Sequence, residues 1–491
     1  MGLLYEDMQF TLALTMTDLT RLPTVAYKPR IFILTDILNE PDDSQSLVRY
    51  LLYSNEFYTR GICATTSTWL RYKTHPEEIR RILTAYGKVV DNLNHHVHPS
   101  SQFRSAHELL PLVTSGPRVY GKRAFNEPLS NGSKLLLEAL TESDEPLYIP
   151  VWGGTNTIAQ ALKHLSETTT PEESARQRSK IRIYAVSDQD NTGAWIRAKY
   201  PDVFYTCSIH GWNEYAQGVW MGMHTGTGTG PDHSKVRNPW LNEHIRIGEL
   251  GGAYPEVKFG MEGDTPSFLW LIQNGLGHRD HPDWGGWGGR YTRIQSTADE
   301  EADNDGNHYC NTTEYGVVGA DGCIYSDHRA SVWRWRDAVQ DDFAARMQWT
   351  LTSDFASVAH PPVISINGHK GSDPLIIKAG PGDAHVLDAS DTCDPDSLTS
   401  NTTNLEYNWF LYGAVNFFQF ARALSPESHI EALDEEEHVQ AKLPNNLAGL
   451  QVPEAVGPHP VWLRTPDFHI VLQVTNLRGN TYSRTTLLLK Q

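Results

Sequence analysis

Cysteine is scarce and unpaired in this chain of 491 residues: Cys63, Cys207, Cys310, Cys323 and Cys393 include no Cys-x-x-Cys spacing. That excludes a disulfide scaffold and a cysteine-built zinc site, while leaving Cys310 and Cys323 either to bridge or to stand as free thiols. Basic residues are outnumbered, with 41 Lys and Arg against 59 Asp and Glu, for a formal charge of −18. Binding the phosphates of nucleic acid or of an anionic bilayer needs the opposite sign, so neither partner is expected. Long apolar runs are missing, which excludes a membrane-spanning helix. The opening segment also lacks the basic region of a secretory signal. A cytoplasmic home is therefore the default expectation, with secretion applying if the start was trimmed. The 21 histidines include no His-Glu-x-x-His pattern, and the Gly-rich stretch from His224 to His233 lacks the Lys-Ser/Thr of a phosphate loop.

What is abundant is aromatic surface: 14 Trp and 21 Tyr in a chain that is 39% hydrophobic, too much to leave disordered. The length suits two or three domains. Short β-branched runs (IFILT at 31–35, GICATTST, LYIPVWGG, IRIYAVSD) alternate with helical spacing in SQSLVRYLLYS, HPEEIRRILTAY, SKLLLEALTES and TNTIAQALKHLSE. Alternation of this kind predicts an α/β domain with a mostly parallel, doubly wound sheet. It is placed at 28–358, after an N-terminal extension over 1–27. Residues 222–236 and 279–328 read as long loops, and 332–351 as one amphipathic helix whose Arg and Asp form an ion-pair network. From His360-Pro361-Pro362 onward, short strands between turn signals predict an immunoglobulin-like antiparallel β-sandwich over 359–491. The acidic stretch 425–438 reads as a solvated loop.

Parallel sheets carry their sites at the carboxyl ends of the strands. Those ends hold Thr35-Asp36, Thr65 to Thr68, Gly153 to Asn156 and Ser187 to Asp190. The densest is Asp36-Ile37-Leu38-Asn39-Glu40-Pro41-Asp42-Asp43, with four carboxylates in eight residues. Buried together they repel, and a divalent cation relieves the repulsion. Oxygen ligands suit calcium, with magnesium less favoured. The alternative is a solvated loop in which Asp42 and Asp43 cap the following helix. The loop Asp283-Trp284-Gly285-Gly286-Trp287-Gly288-Gly289-Arg290-Tyr291 pairs aromatic faces with residues that allow close approach; it fits either a sugar-stacking lid or a packed corner. Trp69, Trp152 and Trp212 are pocket-wall candidates.

Six blocks in register (ILTDILNEPDDSQSLVRYLLYSNEF, VWGGTNTIAQAL, SDQDNTGAWIRAKYPDVF, MEGDTPSFLWLIQNGL, WGGWGGRY and VWRWRDAVQDDFAARM) resemble the nucleoside-hydrolase-like domain of the Sde182 cellulose-binding family. The tail from HPPVISING is similar to that family's C-terminal β-sandwich. A more distant likeness is to the calcium-dependent nucleoside hydrolases. It implies Asp36 as metal ligand and water-activating base, Asp43, the Thr155 carbonyl and Asp264 as further ligands, and Asp42 facing the sugar. Three features depart from that pattern. The gap from Asp36 to Asp42-Asp43 is longer and Leu34 replaces the first Asp, Thr68-Trp69 stand where a Gly-Asn would hold substrate, and Gly263-Asp264 replaces a His-Asp pair. Asn156, Asp188, Asp190 and Glu262 join Thr68, Trp69, Trp284 and Trp287 as candidate substrate contacts, with Glu262, Asp188 and Asp190 the acids near enough in sequence to supply a proton.

The expected function is a metal-dependent hydrolase of a glycosidic bond, N-ribosyl or O-glycosyl, with water activated by Asp36. Two alternatives stand: a non-catalytic binder of a cellulose-like polysaccharide, and a recruited biosynthetic enzyme using the same pocket. The partner is then a small glycoside or nucleoside, or a polysaccharide. The likeness also admits a homo-oligomer.

Overall fold

The computed structural model describes residues 22–25, 27–224, 229–294, 306–379, 383–399, 405–416, 429–432, 438–442, 468–476 and 481–490, together with Leu19. Most of the extension over 1–27 therefore lies outside the described residues.

Strand β1 (Arg30–Thr35) is buried along its whole length and alternates its side chains between two cores. Ile31 and Ile33 meet helix α1 (Asp42–Tyr53) and helix α2 (Pro76–Tyr86) through Leu47, Leu51, Ile79 and Ile82. Phe32 and Leu34 point the other way, into the core lined by Leu136 and Leu140 of the helix Asn131–Thr141 and by Ile158 and Leu162 of the helix Asn156–Thr168. A strand apolar on both faces needs helices on both sides, which is the doubly wound arrangement.

The main sheet adds β2 (Tyr58–Ala64), β3 (Val113–Ser115), β4 (Leu147–Val151), β5 (Ile181–Ala185), β6 (Phe204–Cys207), β7 (Tyr291–Arg293) and β8 (His308–Asn311), in the order β3-β2-β1-β4-β5-β6-β8-β7. Every pairing is parallel except β7 with β8. The chain runs from β1 outward through β2 to β3, then returns to the other side of β1 as β4. The carboxyl ends of β1 and β4 therefore flank the point where strand order reverses, the usual place for a crevice.

Two expectations for this region are corrected. Residues 279–328 are not simply loop: β7 and β8 complete the main sheet, and β9 (Glu314–Val318) pairs with β10 (Ile324–Asp327). Strands of three to five residues such as His308–Asn311 are too short to show alternation in sequence. The long helix expected over 332–351 breaks in two, Ala330–Trp333 and Arg336–Trp349, and Trp335 between them packs tilted against Phe410 and edge-on to Tyr412.

The C-terminal region forms two small, mostly antiparallel sheets. One orders Leu375–Ala379, Thr481–Lys490, Phe468–Asn476 and Leu405–Leu411, its first pair being parallel; the other orders Ala384–Asp388, His438–Lys442 and His429–Ala432. They enclose a separate core that includes Ile366, Leu387, Ile470 and Leu472. His429–Ala432 is strand rather than the expected solvated loop. All five cysteines are free thiols, and among the described residues no helix is long and apolar enough to cross a membrane.

Candidate active site

β1 hands the chain to Asp36, which is buried where the strand ends. The neighbouring strand end makes room for it with Gly153, where a Cβ would lie 2.7 Å from Asp36 Oδ1 and 2.8 Å from Asp36 Cβ. Ser67, after β2, donates its hydroxyl to Asp36. Thr35 organises the same turn: its hydroxyl accepts from Ile37 N at 3.1 Å and donates to Asp43 Oδ1. Helix α1 starts at Asp42 with Pro41 as N-cap and no side-chain cap, so the capping alternative for Asp42 and Asp43 is not met.

Asp264 arrives from a distant segment, and ligand oxygens of Asp42, Asp43 and Asp264 lie within 4.8 Å of one another. Asp36 and Glu40 complete a group of five interacting carboxyls. Burial pushes Asp36 up to about 7. Asp42 also reaches about 7, through burial and then the charges of Glu40 and Asp36. Asp43 and Asp264 are held well above the carboxylate range by burial and then by their acidic neighbours, and burial raises Glu40. Among the described residues, no ion pair reaches any of the five. Asp36 Oδ2 and Asp264 Oδ2 are buried without a hydrogen-bond partner. Orphaned buried carboxylate oxygens of this kind are costly unless a cation or a proton satisfies them. The donor set, all carboxylate oxygen, fits calcium chemistry. Backbone strain collects at the same place: among the described residues, Leu38 (φ 72°) and Glu262 (φ 48°) are two of three non-glycine residues in the left-handed region.

Asp42 stands with Asp43 and Asp264, Asp36 lies beside them, and the Thr155 carbonyl accepts the first helical bond from Ala159 N at 3.0 Å. The other expected contacts divide sharply. Asp190 is a brace, accepting from Thr192 N at 2.7 Å and Asn156 N at 3.1 Å. Asn156 is committed to Thr65, Thr66 and the Val119 carbonyl at 2.8–2.9 Å. Asp188 takes a two-pronged bond from Arg197 at 2.9 and 2.5 Å. Glu262 is buried against Arg49, Tyr254 (2.7 Å) and Thr265 (2.8 Å). As placed, each of these four side chains is engaged by protein partners that spacing could not reveal. Trp287 is buried in the main core, and Trp284 stacks on His281 at 4.0 Å and meets His469 of the C-terminal sheet edge-on. Their loop is the packed corner, not a lid.

Thr68 and Trp69 do lie at the strand-end edge. Thr68 N donates to Gln189 O at 2.6 Å, and Trp69 N donates to the Ser67 hydroxyl that also holds Asp36. Trp69 is half exposed and stacks on Trp212, with Tyr215 edge-on to it. Sequence reading passed over Ser67, Tyr215 and Trp220; Ser67 alone gave a signal, as part of the polar run closing β2.

The comparisons with known proteins agree with this architecture. A nucleoside hydrolase-related protein of Saccharophagus degradans, described as associated with carbohydrate metabolism, is 26% identical, with a TM-score of 0.73 over 95% of this chain and 100% of that one. An inosine-uridine preferring nucleoside hydrolase of Bacillus anthracis is 15% identical, with a TM-score of 0.34 over 65% of this chain and 99% of that one, too distant to carry an argument. No curated protein matches. The family described as cellulose-binding Sde182, nucleoside hydrolase-like domain, matches residues 30–291, from the first strand of the sheet to its antiparallel edge. With more than half its length matched, and with the nucleoside-hydrolase-like sheet that the family description names, the chain belongs to that cellulose-binding Sde182 family.

Proposed function

We propose that the chain is a cation-dependent hydrolase of a glycosidic bond, N-ribosyl or O-glycosyl. One observation carries this reading: carboxylates from two distant segments meet at the β1/β4 switch point with two orphaned oxygens and no basic partner among the described residues. Asp42, Asp43 and Asp264, with Asp36 beside them, are the residues that would hold a calcium-type ion. Such an ion supplies a lowered water pKa and a grip on sugar hydroxyls. Asp36, raised to about 7, is a carboxylate whose affinity for a proton suits it to take one from water near neutral pH. The Ser67 hydroxyl keeps it aimed. Glu40, raised by burial, is the remaining carboxyl able to hold a proton for the leaving atom, since Glu262, Asp188 and Asp190 are engaged elsewhere. The body over 28–358 carries this chemistry, and the module over 359–491 is a separate part of the chain.

A second reading, polysaccharide binding without turnover, is favoured by one specific feature, the exposed indoles of Trp69 and Trp212. Incubation with a panel of nucleosides and aryl glycosides, with calcium and then with chelator, separates the two. The first reading expects sugar release that is lost on chelation and in Asp36→Asn. Stoichiometric glycan binding without product, indifferent to chelator, would replace it with the second.

A further inference from the structure

We propose that His96, His360 and Asp396 form a proton-dependent latch between the α/β body and the C-terminal module. The latch is closed while the three groups together hold one proton more than two neutral imidazoles and a carboxylate do. It is independent of the acid cluster at Asp36.

His96 follows the helix Val90–Asn94 of the α/β body and is buried. His360 opens the C-terminal region, and Asp396 lies in its turn Pro395–Thr399. The three side chains run in line. His96 Nε2 lies 2.8 Å from the Thr352 carbonyl, His96 Nδ1 lies 3.0 Å from His360 Nε2, and His360 Nδ1 lies 2.7 Å from Asp396 Oδ1. The imidazole centroids are 5.2 Å apart and the ring planes differ by 26°, so the rings meet edge to edge. The His360 backbone N–H also donates to Asp396 Oδ2 at 2.9 Å, and Asn476 Nδ2 donates to the His360 carbonyl at 2.9 Å. Side-chain exposure is 1% at His360 and 6% at Asp396, which leaves water little room to compete.

The hydrogens in this line can be counted. A carbonyl only accepts, so His96 Nε2 carries a hydrogen. A second lies between the two rings, and a third lies between His360 Nδ1 and Asp396. Two neutral imidazoles and an ionised carboxylate bring only two, so the closed triad binds one more and has no net charge. Burial drives the proton affinity of His96 down to about 4, which leaves the extra proton on the His360 side. Phe355 lies 3.6 Å from the His360 ring and parallel to it within 6°, with Trp349 at 5.2 Å and 21°; such faces favour an imidazolium. Other titratable groups stand around the triad. His95 lowers and Asp354 raises His96, and Asp394 accepts from Asp396 N at 3.0 Å. Arg346 lies over the Trp349 ring at 5.3 Å and is paired with Asp342 and Glu56.

Opening the latch returns both rings to the ordinary imidazole value of about 6.5. Between that value and about 4, the open rings bind two protons and the closed pair one, so acid favours opening. Above about 6.5 the open rings bind none while the closed triad keeps one, so rising pH favours opening as well. Losing the third proton leaves two ring nitrogens facing each other without a hydrogen and the Asp396 charge unbalanced. The module is therefore held most tightly near about pH 6.5.

Hydrogen exchange of the full chain, followed by mass spectrometry between about pH 5 and 8 and corrected for intrinsic amide exchange, tests the latch at peptides covering 350–364. The proposal expects protection to peak near about pH 6.5 and to be about tenfold lower at either end. Asp396→Asn should flatten the alkaline side and His96→Asn the acid side, with exchange in β1 and β4 unchanged. A wild-type profile that changes in one direction only overturns the proposal, as does one that keeps both sides in both variants. The wild-type profile decides by itself if a substituted chain does not fold.

Discussion

Buried carboxylates occur in two kinds of surroundings in this molecule. Glu262 is clasped by Arg49, Glu314 by Arg290 and Arg334, and Asp342 and Glu56 share Arg346. Around Asp36 the same chain gathers five carboxyls with no arginine, lysine or histidine paired to them among the described residues. Removing charges from water is costly, and a buried ion is normally matched by a partner. The fold has that solution available and uses it repeatedly within the same helices. Its absence at the β1/β4 switch point is what the proposed cation site would explain.

The contrast can be broken from its paired side first. Arg49→Met leaves Glu262 buried with Tyr254 and Thr265 but no counter-charge, and is expected to cost about 3–5 kcal/mol in urea unfolding, with calcium response retained. On the unpaired side, calcium at a hundredfold excess over its dissociation constant is expected to stabilise the wild type by about 2.7 kcal/mol in calorimetry, and to do nothing for Asp43→Asn. A smaller effect concerns protons. Asp36 and Asp42 rise from 3.8 to about 7 in the folded chain, so the metal-free fold holds protons that the unfolded chain has released. Stability of the chelated protein should then be greatest below about pH 4 as far as these two groups are concerned, and fall as pH rises toward 7. Thermal melts across that window check the slope, which calcium should flatten. The least effect is expected at Asp188→Asn, because its pair with Arg197 is partly open to solvent: under about 1 kcal/mol by the same melts.

Much of the fold was legible because strand ends and helix faces are local. The unbroken apolar run Ile31–Leu34 already requires helices on both sides, and the acids at 36–43 are visible as a cluster without any structure. Asp264 became a candidate through resemblance, and the fold brings it beside them. What was not legible is partnership at long range. Glu262 reads as a free acid until Arg49, two hundred positions earlier, is seen on its carboxylate. Asn156 and Asp190 read as substrate contacts until their bonds to Thr66 and Thr192 show them bracing a loop. Trp284 and Trp287 could not be distinguished from lid residues by composition, whereas the weight of Trp212 depends on Trp69 and Tyr215 folding against it.

One substitution tests the central claim most directly. Asp264→Asn removes a charge from the unpaired cluster while keeping the shape of the side chain. If the cluster is a cation site, the variant should unfold at a higher temperature than the wild type in chelator, because repulsion is relieved, and should lose the stabilisation by calcium. A variant that is less stable in chelator and still gains the full increment from calcium would contradict it.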